Sequence, residues 1–78
     1  MATVIVYSTP TCPWCHRAKD YFTEKGVEFT DYDVAADQAK AQEMIEKSGQ
    51  RGVPVIDIDG TIIVGFDQPK IDELLGLK

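Results

Sequence analysis

Residues Thr3-Val4-Ile5-Val6-Tyr7 form an unbroken β-branched and aromatic run with almost no polar alternation. A strand with one wet face alternates apolar and polar positions, so a run of this kind belongs to a central strand covered on both faces. The rest of the chain must therefore build two covering layers, and it has 78 residues in all with which to do so. That length allows a single domain, residues 1–78, of a size that buries only about 60% of its unfolded surface.

The segments after the first strand supply those layers in a definite order. A polar turn, Ser8-Thr9-Pro10-Thr11, leads to a helical pattern that opens at the cysteines. Ala18, Tyr21, Phe22 and the aliphatic stem of Lys25 form its apolar stripe, and Gly26 fits a C-terminal cap. Val27 to Val34 reads as a second strand through Val27, Phe29 and Tyr32. Asp33 or Asp37 can cap the next helix, where Ala41, Met44, Ile45 and Ser48 share a face and Gly49 ends the pattern. Pro54 to Ile58 is a strand, Asp59-Gly60 is a two-residue hairpin signal, and Thr61 to Val64 is the returning strand. Asp67 caps a last helix, with Pro69 in its first turn and Ile71, Leu74 and Leu75 facing inward.

The order β-α-β-α-β-β-α predicts an α/β protein with a mixed four-stranded sheet flanked by helices. The first βαβ unit requires a parallel pair with a right-handed crossover, and the final hairpin is antiparallel. Pattern alone leaves the strand order open.

Charge and composition narrow the function. Thirteen acids against eight bases give a net charge of −5, which argues against a nucleic-acid or membrane-surface partner. No segment approaches the roughly 18 consecutive apolar residues of a membrane span. Neither a basic n-region nor an apolar h-region precedes the first strand, so a cytoplasmic location is expected. The two cysteines, Cys12 and Cys15, are too close to staple a fold. In a reducing compartment such a pair is catalytic or metal-binding rather than structural.

The motif Cys12-Pro13-Trp14-Cys15 falls where the first strand gives way to the first helix. A thiolate, not a thiol, attacks disulfides, and unpaired N–H groups at a helix start together with the helix dipole favour that anion at Cys12. Pro13 suits the first turn, where its missing N–H costs nothing. Cys15 follows one turn later, within reach of the Cys12 sulfur, and His16, Arg17 and Lys19 add positive charge ahead of Asp20. Three other readings compete. Cys12 to His16 is literally C-x-x-C-H, the haem attachment pattern, but no export signal and no methionine with an axial role accompany it. Two cysteines and His16 make an incomplete zinc set, and two buried small hydrophobes fit poorly beside a polar turn. Redox chemistry between Cys12 and Cys15 is the reading that uses every feature, with no catalytic role for His16.

These residues also resemble the glutaredoxin family over nearly the whole chain. The run Cys12-Pro-Trp-Cys-His-Arg-Ala-Lys19 is similar to the active-site run of that family, with Trp14 where tyrosine is usual. Gly52-Val53-Pro54 stands where the family carries Thr-Val-Pro, and Gly65-Phe66-Asp67 where it carries a Gly-x-Asp turn. The resemblance implies a thioredoxin fold with strand order 2-1-3-4 and the third strand antiparallel to the first. It implies a cis Pro54 that exposes the Val53 backbone to an extended substrate beside Cys12, whereas pattern alone would equally let Pro54 open an edge strand. It further implies that Gly65, Phe66, Asp67 and the following helix start hold a carboxylate of glutathione.

Departures from the family accompany the match. Thr9 stands where a basic residue usually precedes the first cysteine, Gly52 replaces threonine, and Arg51 is the candidate to supply the cation. The segment Val64 to Ile71 resembles part of the redoxins that thioredoxin reductase reduces, with Asp67 and Gln68 replacing a single arginine. The expected activity is therefore reduction of protein or small-molecule disulfides by a dithiol cycle. Glutathione or thioredoxin reductase would be the electron donor; no metal and no tightly bound cofactor are expected, and the protein is expected to be a monomer. Trp14 lies between the two sulfurs in sequence, so its emission should differ between the dithiol and disulfide forms. Identical fluorescence spectra in both states would sever that link.

Overall fold

The computed structural model describes residues 3–76. Its elements are β1 (Val4–Ser8), α1 (Pro13–Glu24), β2 (Thr30–Asp33), α2 (Gln38–Ser48), β3 (Val55–Ile58), β4 (Thr61–Val64) and α3 (Gln68–Leu75). They form one mixed sheet in the order β2-β1-β3-β4, the thioredoxin fold. β1 runs parallel to β2 and antiparallel to β3, and β3 pairs antiparallel with β4.

Side-chain alternation along β1 divides the core into two. Val4 and Val6 join Ile56, Ile58 and Ile63 on one face of the sheet, beneath Ala18 and Phe22 of α1 and Ile71 of α3. Tyr7 and Val55 face the other way and pack on Met44 of α2. A strand flanked on both edges and covered on both faces leaves only Ile5 partly exposed, which is why its sequence does not alternate. The Asp59-Gly60 turn has positive φ at both positions (50° and 92°), the type I′ geometry that matches the twist of its strands.

The second strand is shorter than the apolar pattern implied. Thr30–Asp33 pairs with β1, while Val27 and Phe29 precede it. The reason lies in the end of α1. Gly26 adopts φ 71°, its N–H donates to Thr23 O at 3.2 Å, and the Val27 N–H donates to Phe22 O at 2.8 Å. This is a Schellman cap, so Val27 packs near Phe22 as the apolar residue after the helix rather than as a strand residue.

Three other expectations are corrected, and one open choice is decided. Lys25 is an exposed cap residue outside the core stripe, with its Nζ over the Tyr21 ring. The third strand begins at Val55 rather than Pro54. Of the two candidate caps for α2, Asp37 is the one used, accepting the Lys40 N–H at 3.1 Å. Leu74 is 38% exposed, because a helix as short as α3 turns only Ile71 fully onto the sheet, with Leu75 partly covered.

One charged side chain is buried in the sheet. Asp57 of β3 is 7% exposed and sits on the α2 face, where its Oδ2 accepts Lys47 Nζ at 2.9 Å and its Oδ1 accepts the Gly60 N–H at 2.8 Å. Lys47 also donates to the hydroxyl of Tyr7 at 3.0 Å, and that hydroxyl donates to Glu43 at 2.5 Å. The bonds to the Tyr7 hydroxyl and to Asp57 hold the Lys47 ammonium more firmly protonated than an ordinary lysine, and Glu43 is drawn below its usual range first by the Tyr7 hydroxyl. The network ties α2 to β1 and β3. Removing one partner of a buried pair leaves an uncompensated charge, so Lys47→Met should destabilise the protein by about 2 kcal/mol, below the fully buried case because Lys47 is partly solvated. In a thermal melt that is a drop of roughly 10 °C, and adding Asp57→Asn should recover part of it.

Candidate active site

Three chain segments meet at the C-terminal end of β1. The first is the start of α1. Cys12 has extended backbone (φ −90°, ψ 112°) and serves as the N-cap, with Pro13 at the first helical position. Its Sγ accepts the Cys15 N–H at 3.2 Å, one of the N–H groups that a helix start leaves without a backbone partner. The backbone N–H of Cys12 donates to Thr9 O at 3.4 Å, closing the polar turn. The cysteine thus does the work that serine or aspartate does at other helix starts, and its sulfur is aimed along the dipole.

The second segment is the loop before β3. The Val53–Pro54 peptide bond is cis, and the Cys12 Sγ lies 3.8 Å from Val53 O, to which it donates. The loop is shaped by a residue that sequence reasoning passed over. Gln50 folds back so that its Nε2 donates to Gly52 O at 2.9 Å and its Oε1 accepts the Gly52 N–H at 2.5 Å. A Cβ at position 52 would stand 2.7 Å from that Oε1, so the departure from threonine and the Gln50 clasp belong together. Only a glycine two residues after an amide side chain hints at this in the sequence.

The third segment is the turn between β4 and α3. The Gly65 N–H donates to Pro54 O at 2.8 Å and clamps the second and third segments together. Trp14, Val53, Pro54, Gly65 and Phe66 then line a groove of about 250 Å³. Trp14 is 56% exposed, and the Arg17 guanidinium lies over its ring, 5.1 Å from the centroid. Asp67 caps α3 by accepting the Lys70 N–H at 3.4 Å.

The residues singled out in the sequence divide accordingly. Trp14, Val53, Pro54, Gly65 and Phe66 are brought together, with Cys12 against Val53 and Cys15 beneath it. Thr9 contributes its backbone to the turn. Arg51 is exposed in the loop and is not among the groove-lining residues, and Asp67 is an exposed cap beyond the groove. The expected cluster of positive charge is also differently used. The His16 ring nitrogen Nε2 bonds to Pro10 O at 2.7 Å, Arg17 covers Trp14, and Lys19 turns inward to Asp31 at 3.1 Å.

The two sulfurs are in contrasting settings. Cys12 is partly exposed and Cys15 is fully buried. Burial, reinforced by a hydrogen bond to Cys12, pushes the Cys15 thiol up to about 12. One sulfur is therefore partly exposed beside Val53, a residue of the groove, while the other is a protonated thiol in the core. Among the described residues, no three His, Cys, Asp or Glu side chains converge as metal ligands, and no helix is long and apolar enough to cross a membrane.

Comparison with known proteins agrees with this geometry. The profile of the glutaredoxin family matches residues 4–63. An uncharacterised glutaredoxin-like 8.6 kDa protein in the rubredoxin operon of Clostridium pasteurianum is 53% identical over 70 residues, covering 90% of this chain and 93% of the relative. Glutaredoxin 3 of Escherichia coli K12 is 46% identical over 67 residues, 86% of this chain and 81% of that protein. The crystal structure of a point variant of a thioredoxin-like protein superposes with a TM-score of 0.92 at 28% identity, covering all of both chains.

The raised Cys15 thiol makes a prediction about stability. The folded reduced protein holds this proton up to about 12, whereas an unfolded cysteine releases it near 8.5. The stabilisation is complete below the unfolded value and is lost as pH rises toward the folded one, with a limiting slope of about 1.4 kcal/mol per pH unit. Denaturant unfolding of the reduced protein between pH 8 and 10 should show this decline, and Cys15→Ser should be flatter. Equal slopes would refute the assignment.

Proposed function

This chain belongs to the glutaredoxin family and is a glutaredoxin-like thiol–disulfide oxidoreductase; from that premise we propose that it reduces protein and small-molecule disulfides by cycling Cys12 and Cys15 between dithiol and disulfide. The observation that carries the reading is the asymmetry of the two sulfurs. Cys12 caps the helix and lies against Val53 at the groove, and Cys15 is buried one turn behind it.

In the first half of the cycle the Cys12 thiolate attacks one sulfur of the substrate disulfide. The Cys12–substrate disulfide forms, and the other substrate sulfur leaves as a thiolate that takes up a proton. In the second half Cys15 loses its proton and attacks the Cys12 sulfur. The Cys12–Cys15 bond forms, the remaining substrate sulfur departs as thiolate, and two electrons have passed to the substrate. Two thiol equivalents from a reductant then restore the dithiol, so no tightly bound cofactor and no metal take part. The carrier works as a monomer in a reducing compartment, the cytoplasm.

Glutathione is the proposed reductant. The groove beside Cys12 ends at Gly65 and Phe66, next to the start of α3. A helix start suits a carboxylate through its free N–H groups; here Pro69 has none and the Lys70 N–H is held by Asp67, which leaves the N–H of Gln68, the first helical residue, for that contact. A second reading, re-reduction by thioredoxin reductase, is favoured by the makeup of the groove. Its lining residues are Trp14, Val53, Pro54, Gly65 and Phe66, with neither Thr9 nor Arg51 supplying polarity or charge for an anionic tripeptide.

Turnover assays with one small disulfide test both levels. Cys12→Ser should abolish reductase activity, and Cys15→Ser should accumulate a mixed disulfide visible as a mass increase. Substantial dithiol turnover by Cys12→Ser would sink the cycle. Paired assays with glutathione plus glutathione reductase, and with thioredoxin reductase alone, decide the donor. Activity with thioredoxin reductase only would replace the first donor with the second.

A further inference from the structure

The sheet face under α1 is apolar at Val4, Val6, Ile56, Ile58 and Ile63, yet two polar residues stand on it near the cysteines. Ser8, at the end of β1, is 2% exposed. Asp31 of β2 pairs with Val6 in parallel register and therefore shares that face. The Ser8 hydroxyl donates to Asp31 Oδ1 at 2.6 Å. Lys19 of α1 reaches in over both, with its Nζ 3.1 Å from Asp31 Oδ2 and 3.5 Å from Ser8 Oγ. The Lys19 side chain is four-fifths covered, unlike a solvated surface lysine.

Lys19 follows Cys15 by one helical turn, and residues so spaced are neighbours on a helix surface. The charged or titratable groups that act on Cys15 are few. Cys12 and Lys19 share its helix, and Asp31 is felt through Lys19. His16 is engaged by Pro10 O, and Arg17 covers Trp14. Burial and the Cys12 sulfur oppose ionisation of Cys15, whereas the ammonium of Lys19 favours it. During the second half of the cycle Cys12 is tied up as a neutral disulfide, yet Cys15 must become a thiolate inside the core.

We propose that Lys19, held in place by Asp31 and Ser8, is a positioning residue for that second half: its ammonium stabilises the Cys15 thiolate that attacks the Cys12–substrate disulfide. The inference rests on the dithiol reading. Asp31 both anchors the ammonium and offsets part of its charge, so the two residues have opposite effects on the rate. The proton of Cys15 leaves to solvent, the Cys12–Cys15 bond forms, and the bond between Cys12 and the substrate sulfur breaks.

Stopped-flow single turnovers with a small disulfide, followed by Trp14 fluorescence and acid-quenched mass analysis, separate the two halves across pH 6–10. In Lys19→Met the resolution rate at pH 7 should fall about tenfold, with its rising pH limb displaced upward by about one unit. Mixed-disulfide formation should change less than about twofold, a bound set by the weaker field at the more solvated Cys12. Lys19→Arg should restore most of the rate. Asp31→Asn can turn its amide so that Oδ1 accepts Lys19 while Nδ2 donates to the Ser8 hydroxyl, which keeps the anchor but removes the opposing charge; it should therefore displace the limb downward and speed resolution, which no loss of folding could do. An unmoved pH limb in both Lys19→Met and Asp31→Asn, or equal slowing of both halves, would overturn the role of Lys19 while leaving the dithiol cycle intact. Wild-type turnover by Cys15→Ser would overturn the cycle itself and this inference with it.

Discussion

Strand β1 is hydrogen-bonded along both edges and covered on both faces, and each of its residues locks a different neighbour into place. Val4 and Val6 set the floor on which α1 and α3 rest, and Tyr7 sets the floor for α2. Ser8, the last residue of the strand, is the first polar group on the α1 face. Because the strand cannot slide without turning its apolar side chains to the wrong face, the turn that follows is delivered to a fixed point. At that point Thr9 O takes the Cys12 N–H and α1 begins. The reactive sulfur is thus positioned by the burial of a strand that carries no reactive group.

From that point the site is assembled by hydrogen bonds to backbone groups. The Gly65 N–H clamps Pro54 O, Gln50 closes the loop through Gly52, and the Cys15 N–H anchors the Cys12 sulfur. Side chains then grade the environment. Apolar groups form the groove, and burial makes Cys15 a thiol of last resort. Charge is kept out of the groove, with Arg17 laid flat on Trp14 and Lys19 drawn beneath the helix. A nucleophile in the open and a resolving thiol in the core are the two settings that the chemistry needs, and they differ by one turn of helix.

Much of this was legible beforehand. The seven elements and their order follow from period, caps and turn residues, and Pro13, Asp37, Gly60 and Asp67 all stand at the ends their chemistry favours. Misread positions lie where two local signals overlap. Val27 looks like a strand residue because it is β-branched and apolar, but a helix cap needs an apolar residue at that same place. Leu74 has the spacing of a core residue on a helix too short to bring it down. The cations near the motif were visible as residues, but their partners, the Pro10 carbonyl, the Trp14 ring and Asp31, are set by folding.

The sequence by itself determined the redox motif, its place at a helix start and the need for a sheet covered on both faces. These are local matters, decided by residues within a few positions of one another. Only the tertiary structure decided which side of Cys12 meets Val53, that Arg51 stays outside the groove, and that Lys19 and Asp31 close on Ser8. Those contacts join segments that are distant in the chain, and their geometry depends on strand order and register, which no short window of sequence contains.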